Sequence, residues 1–125
     1  MKQRGTIVVV EDEAILARVV VEKLEHEGFN ISLAMNGEDA VPLIRKVFPR
    51  LILLDIVLPE KDGFAVLQEL KDDAQLASIP VIVLSNLGED EDIKKALQLG
   101  ARDYLVKTQH PLNEVIEKCE RAILL

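Results

Sequence analysis

Asp55 is the only ionisable side chain in the stretch 51–59, which reads LILLDIVLP. Because apolar residues lie on both sides of it, we expect its carboxylate to sit largely inside the fold. Moving an unpaired ionised carboxylate out of water is costly. Asp55 therefore needs compensating positive charge, which a metal ion and a lysine can supply.

Polar side chains follow three other apolar runs in the same way. Glu11 and Asp12 come directly after TIVVV, Ser85 follows VIVL, and Lys107 follows DYLV. If these runs are parallel strands of one sheet, their carboxyl ends meet at one edge, where ligands bind in open α/β folds. Three carboxylates, one hydroxyl and one ammonium group would then lie close together.

This combination suits a divalent metal beside an anion of phosphoryl size. Crowded carboxylates raise one another's pKa values unless a cation lies between them. Oxygen ligands, with water in the remaining positions, suit Mg²⁺. Lys107 is well placed to hold an anion next to the metal, and Ser85 can donate a hydrogen bond to the same anion. The pattern predicts a magnesium site with Asp55 as its central carboxylate.

Five short apolar runs alternate with five helical patterns, which indicates βαβ units and a parallel sheet. The predicted strands are residues 6–10, 30–34, 51–54, 81–84 and 103–106. Strands 1, 3 and 4 are almost continuously apolar, as expected for strands covered on both faces. Strands 2 and 5 mix polar and apolar residues, as edge strands can. We predict a flavodoxin-like (βα)5 fold of the α/β class, a three-layer sandwich with sheet order 2-1-3-4-5.

Apolar stripes at helical spacing predict the buried faces of the last two helices. In helix 5 the stripe is Leu112, Val115, Ile116, Cys119, Ala122 and Ile123. In helix 4 it is Ile93, Ala96, Leu97 and Gly100, and the glycine is also a natural C-terminal stop.

Helix 2 is predicted to begin at an Asn36 cap. Its stripe is Ala40, Val41, Ile44, Val47 and Phe48. Pro42 falls opposite that stripe, so we expect either a kink on the solvent side or a delayed start of the helix.

The 125-residue chain is 49% apolar and 30% charged, which fits one domain over residues 1–125. Its net charge of −7 argues against direct nucleic-acid binding. No apolar run is long enough for a membrane span, and the N-terminus does not have the pattern of a secretory signal. The single cysteine suits a reducing compartment, so we expect a cytoplasmic protein.

Four motifs together resemble the receiver domain of two-component response regulators, in particular a single receiver like the chemotaxis regulator. They are VVVEDE, LLDIVLPEKDGF, VIVLSNLG and GARDYLVK, in the order and spacing of that family. The resemblance covers essentially the whole chain. It implies that a sensor histidine kinase or phosphotransfer protein phosphorylates Asp55.

The resemblance also implies roles for the surrounding residues. Asp12 would bind Mg²⁺ directly, Glu11 mainly through water, and the Val57 carbonyl would complete the protein ligands. Ser85 and Lys107 would contact the phosphoryl oxygens.

Tyr104 would be the switch aromatic that turns inward and changes the face formed by helix 4, strand 5 and helix 5. That face would control a downstream output protein or domain, with a phosphorylation-dependent homodimer left open. The protein would be a phosphoacceptor switch that catalyses only its own phosphorylation and dephosphorylation, not a turnover enzyme.

Two residues depart from the family pattern. Thr108 follows Lys107 where proline is usual, and Pro111 comes later, which leaves the start of helix 5 open. Asn86 follows the hydroxyl residue where a small side chain is usual, and we expect it to narrow access to the phosphoryl group. Glu13, the last acid of VVVEDE, is interpreted as a first-turn acid favoured by the helix dipole.

Three other functions fit the same fold less well. A flavin or nucleotide carrier would place a glycine- or hydroxyl-rich phosphate loop after strand 1, where this chain has acids. An aspartate-nucleophile phosphatase would want a second carboxylate at the position of Val57. A pseudo-receiver that only binds partners would not need Asp55, Ser85 and Lys107 intact.

Overall fold

A computed structural model describes residues 4–124, which form five strands and five helices in strict alternation. The elements in chain order are β1 Thr6–Val10, α1 Ala14–His26, β2 Asn30–Ala34, α2 Gly37–Val47, β3 Leu51–Leu54, α3 Gly63–Asp72, β4 Val81–Ser85, α4 Asp90–Gln98, β5 Asp103–Val106 and α5 Leu112–Leu124. Four strands have the predicted bounds, and β4 extends one residue further, to Ser85.

The strands form one sheet in the order β2-β1-β3-β4-β5, and each adjacent pair is parallel. The predicted flavodoxin-like order is confirmed. In the central ladder, Val10 is in register with Leu54, and Leu54 is in register with Val83. Because of this register, the carboxyl ends of the central strands lie side by side.

Helices cover both faces of the sheet, which confirms the three-layer sandwich. On one face, residues such as Val8 and Val10 pack with buried residues of α2, α3 and α4. On the other face, Ile7 and Val9 pack with buried residues of α1 and α5. The predicted stripe of α5 from Val115 to Ile123 lies in this second core.

Helix α2 begins at the predicted cap, where the Asn36 side chain accepts a hydrogen bond of 2.8 Å from the Asp39 N–H. The helix runs through the exposed Pro42 from its start at Gly37, so a delayed start is wrong. The predicted burial of Phe48 is also wrong. Phe48 ends the helix in the left-handed conformation (φ 46°), which takes its side chain out of the stripe and leaves it 56% exposed.

Helix α4 ends before Gly100, whose φ of +104° is consistent with the predicted glycine stop. Leu97, however, is 46% exposed, so its predicted place in the buried stripe is wrong. The short helix packs on the core through Ile93, Ala96 and the following Leu99. Leu97 lies about 100° around the helix from Ala96 and therefore outside that contact. Within residues 4–124, no helix has the length and apolar character required to span a bilayer.

Candidate functional site

The carboxyl ends of β1, β3 and β5 bring the predicted site residues together. Backbone hydrogen bonds continue the sheet beyond the strands: the Asp55 N–H donates to the Val10 carbonyl (3.0 Å), and the Lys107 N–H donates to the Ser85 carbonyl (2.8 Å). Glu11 directly follows β1. The side chains of Asp55, Lys107 and Glu11 are therefore positioned by the same sheet that forms the core.

The Lys107 ammonium lies at the centre of this site and contacts three carboxylates. Its Nζ is 2.8 Å from Asp55 Oδ2 and 3.0 and 3.1 Å from the two oxygens of Glu11. The third partner is the carboxylate of Glu13. Glu13 is the N-cap residue of α1, and its side chain makes no capping hydrogen bond. The interpretation of Glu13 as a plain first-turn acid is therefore wrong, because its side chain forms an ion pair with Lys107.

Burial and neighbouring charges shift two of these groups. Burial raises the pKa of Glu11 to about 7, and the charge of Asp55 acts in the same direction. Burial alone would lower the pKa of Lys107, but hydrogen bonds to Asp55, Glu13 and Glu11 outweigh it and raise that pKa above its usual range. Asp12 adds a further carboxylate beside Glu11 and Asp55, so the site contains four acids and one ammonium. The site has a surplus of negative charge that a second cation would relieve.

The arrangement of oxygen atoms fits a divalent metal. Carboxylate oxygens of Glu11, Asp12 and Asp55 lie within 4.8 Å of one another. Glu11 and Asp55 are buried, whereas Asp12 is exposed at the mouth of the site. The Val57 N–H donates to Asp55 Oδ1 at 3.2 Å, which orients the central carboxylate. The three carboxylates of Glu11, Asp12 and Asp55 offer hard oxygen atoms, the type of ligand that Mg²⁺ prefers.

Ser85 and Tyr104 are linked through the same residue of the β4–α4 loop. The fully buried Ser85 accepts a hydrogen bond at Oγ from the Leu87 N–H (3.3 Å). The Tyr104 hydroxyl donates to the Leu87 carbonyl at 2.7 Å. The tyrosine ring is turned inward, with only 8% of the residue exposed. A movement of this loop would therefore affect both side chains.

Comparison with known proteins agrees with this geometry. The family model described as "Response regulator receiver domain" matches residues 7–119. The chain belongs to the response regulator receiver domain family. The receiver is 39% identical over 109 residues to "Probable transcriptional regulator ycf27" of Porphyra purpurea, a match that covers 87% of this chain and 44% of that protein. The receiver thus spans less than half the length of that curated relative.

Solved structures show the same fold as this receiver. The Mn²⁺-bound form of the response regulator Rcp1 is 30% identical, with a TM-score of 0.82 over 93% of this chain and 91% of that one. The phosphorylated cyanobacterial phytochrome response regulator RcpA is 31% identical, with a TM-score of 0.84 over 96% of this chain and 94% of that one.

The two departures from the family pattern lie on the rim of the receiver site. Thr108 and Asn86 are both exposed. Residues 4–124 contain no cis peptide bond, so the bond between Lys107 and Thr108 is trans. Helix α5 starts at Leu112, and the preceding Pro111 carbonyl accepts hydrogen bonds from two N–H groups of its first turn. The start of helix 5 is thereby resolved: the helix begins at Leu112, directly after Pro111.

Gly63, which was not predicted from the sequence as a site residue, packs against the backbone of Asp55 in the receiver site. Its N–H donates to the Ile56 carbonyl at 2.8 Å. A Cβ atom at this position would lie 2.4 Å from the Asp55 carbonyl oxygen and 2.6 Å from the Ile56 Cα. The start of α3 therefore packs directly on the backbone that carries Asp55. The signal was the pair Asp62-Gly63, in which Asp62 caps α3 by accepting a hydrogen bond from the Ala65 N–H.

Proposed function

We propose that this receiver is a phosphorylation switch in which Asp55 accepts a phosphoryl group from the phosphohistidine of a sensor histidine kinase or phosphotransfer protein. The observation that carries the proposal is the buried Asp55 carboxylate, which is paired with Lys107 at 2.8 Å beside the acids Glu11 and Asp12. RcpA, which has this fold, has been solved in a phosphorylated form. This supports the same modification here.

The transfer is a single displacement at phosphorus. An Asp55 carboxylate oxygen attacks, an O–P bond forms, the N–P bond of phosphohistidine breaks, and its electron pair goes to the imidazole nitrogen. The Val57 N–H holds the other oxygen of Asp55, which fixes the orientation of the carboxylate. Lys107 and Ser85 contact the phosphoryl oxygens, and Lys107 offsets their negative charge. Catalysis is therefore mainly positioning and electrostatic stabilisation.

Glu11, Asp12, Asp55 and the Val57 carbonyl would hold Mg²⁺ in this site. When bound, the ion supplies positive charge next to the phosphoryl oxygens. Two observations support a divalent ion: the cluster of carboxylate oxygens and the Mn²⁺-bound structure of Rcp1. The choice of Mg²⁺ rests on the all-oxygen ligand set.

The output of the switch passes through Ser85 and Tyr104 to the face formed by α4, β5 and α5. A phosphoryl group that draws the Ser85 hydroxyl towards it would move the Oγ that accepts from the Leu87 N–H, and the carbonyl of Leu87 holds Tyr104. The relative named as a probable transcriptional regulator is more than twice as long as the part of it that this chain matches. The remaining length supports an output domain or partner protein. The receiver itself, with a net charge of −7, is proposed not to contact nucleic acid.

Three further parts of the proposal concern the protein as a whole. Residues 1–125 act as one cytoplasmic receiver domain. It is a regulator that catalyses only its own phosphorylation and dephosphorylation. Homodimer formation, where it occurs, depends on phosphorylation.

Acetyl phosphate with Mg²⁺ tests the nucleophile directly. We expect one phosphoryl group per chain by intact mass, and its loss in base, as for an acyl phosphate. Asp55→Asn should abolish the addition, whereas Asp90→Asn, in the exposed first turn of α4, should label like the parent. A phosphoryl group that persists in Asp55→Asn, or that maps to Ser85, would contradict the proposal.

A further inference from the structure

All three N–H donors of the Lys107 ammonium have carboxylate partners. A lysine ammonium has three donors and no acceptor. In this structure Asp55, Glu11 and Glu13 all lie in contact with Lys107 Nζ. A phosphoryl oxygen that arrives at Asp55 can gain a hydrogen bond from Lys107 only if one of these carboxylates gives up its hydrogen bond with the ammonium.

The three partners differ strongly in their exposure to water. The side chains of Asp55 and Glu11 are 4% and 5% exposed, whereas that of Glu13 is 52% exposed. Glu11 and Asp55 are enclosed by the fold, so neither carboxylate can turn away from Lys107 into water. A carboxylate on the surface regains water when its ion pair breaks, and such pairs contribute little net energy. Glu13 is the partner that can leave at the lowest cost.

Nothing in the local structure of α1 holds the Glu13 side chain in place. Glu13 is at the N-cap position, but glutamate is not a preferred N-cap residue and here makes no capping hydrogen bond through its side chain. Its backbone is held separately, because its N–H donates to Glu11 Oε2 at 3.1 Å and its carbonyl accepts from the Ala17 N–H at 2.9 Å. The carboxylate can therefore leave Lys107 while α1 stays intact.

We propose that Glu13 is the exchangeable partner of Lys107. Glu13 holds the Lys107 ammonium in the resting site and releases it when the phosphoryl group arrives. Glu13 is thus a positioning residue that competes with the phosphoryl oxygens for one N–H of Lys107, and it slows phosphorylation. The inference rests on the proposed function, with Asp55 as phosphoacceptor.

The test compares phosphorylation rates at saturating Mg²⁺ in the parent, Glu13→Gln and Glu89→Gln. Glu89 is a matched control because it is also an exposed N-cap glutamate without a side-chain capping bond, at the start of α4. With acetyl phosphate, the Asp55–phosphorus bond forms as the phosphorus–oxygen bond to the acetyl group breaks and acetate leaves. Glu13→Gln should speed this step by roughly two- to five-fold, the range expected for loss of one exposed ion pair. Glu89→Gln should match the parent.

A second phosphodonor separates release of Lys107 from simple charge repulsion. Acetyl phosphate is a dianion at neutral pH and phosphoramidate a monoanion, so long-range repulsion by Glu13 would slow the first donor more. Release of Lys107 predicts the same acceleration with both donors. An acceleration confined to acetyl phosphate, or a Glu13→Gln rate no higher than that of Glu89→Gln, would overturn the inference. Absence of labelling in the parent and all variants would instead refute the proposed phosphoacceptor.

Discussion

Replacing Gly63 by alanine is predicted to destabilise the receiver and to disturb the backbone at Asp55. The added Cβ would lie 2.4 Å from the Asp55 carbonyl oxygen, whereas ordinary contact begins at 3.4 Å. The start of α3 or the Asp55 backbone must therefore move by about 1 Å, as the difference between these distances shows. The two nearest atoms are backbone atoms of Asp55 and Ile56, directly after β3, so rotation of a side chain does not relieve the clash.

The size of the effect follows from three terms. Overpacking of a closely packed site costs about 1–3 kcal/mol. Movement of α3 also weakens the hydrogen bond from the Gly63 N–H to the Ile56 carbonyl, now 2.8 Å long and worth about 1 kcal/mol. The higher helix propensity of alanine offsets up to about 1 kcal/mol of this destabilisation. The free energy of unfolding should therefore fall by about 1–3 kcal/mol.

Urea unfolding followed by far-UV circular dichroism measures this change, with Gly88→Ala as the control. A Cβ at Gly88 would meet the Val106 methyl groups at 3.4 and 3.7 Å, which is ordinary contact. Both variants restrict the unfolded chain in the same way, so their difference reports the contact in the folded state. We also expect Gly63→Ala to be phosphorylated more slowly, because the nucleophile is displaced. Equal stability of the two variants, within about 0.5 kcal/mol, would refute the close packing of α3 on Asp55.

Three other predictions concern the metal, the thiol and the switch. Mg²⁺ at ten times its Kd should stabilise the folded parent by about 1.4 kcal/mol, which is measured as a rise in Tm. Asp12→Ala should lose most of that rise, and no rise in the parent would contradict the metal site. Burial raises the pKa of the Cys119 thiol to about 12, so iodoacetamide should label the native protein far more slowly than the urea-unfolded chain. Ser85→Ala should still accept phosphate but lose most of the accompanying change in fluorescence of Tyr104, the only tyrosine in a chain without tryptophan; an unchanged response would separate Tyr104 from the switch.

Elements of the fold that depend on local pattern could be predicted from the sequence. Continuous apolar runs and mixed runs distinguish central from edge strands, because a central strand is covered on both faces. The sheet order then follows, and the structure confirms it. Strand order and direction in turn bring Asp55, Glu11 and Lys107 to one edge, so their proximity was predictable before any distance was known.

Local pattern was not sufficient where a helix meets its neighbours or ends. Phe48 continues the stripe of α2 by spacing, but the backbone turns left-handed at that residue and leaves it exposed. Leu97 fits the spacing of α4, but the helix touches the core along a narrower strip. Spacing gives the angle of a side chain around its helix, whereas burial depends on how wide the contact with the core is.

The pattern within the chain was sufficient to predict which residues end the strands, and with them Asp55, the acids and the lysine of the site. The parts that Glu13 and Gly63 play depend instead on how the elements pack against one another. Glu13 is 94 residues from Lys107 in the chain, and its side chain could equally have stayed in water at the start of α1. The requirement for glycine at 63 comes from the distance between α3 and the Asp55 backbone. Both features are contacts between elements, and a pattern within one element carries no information about the separation of two.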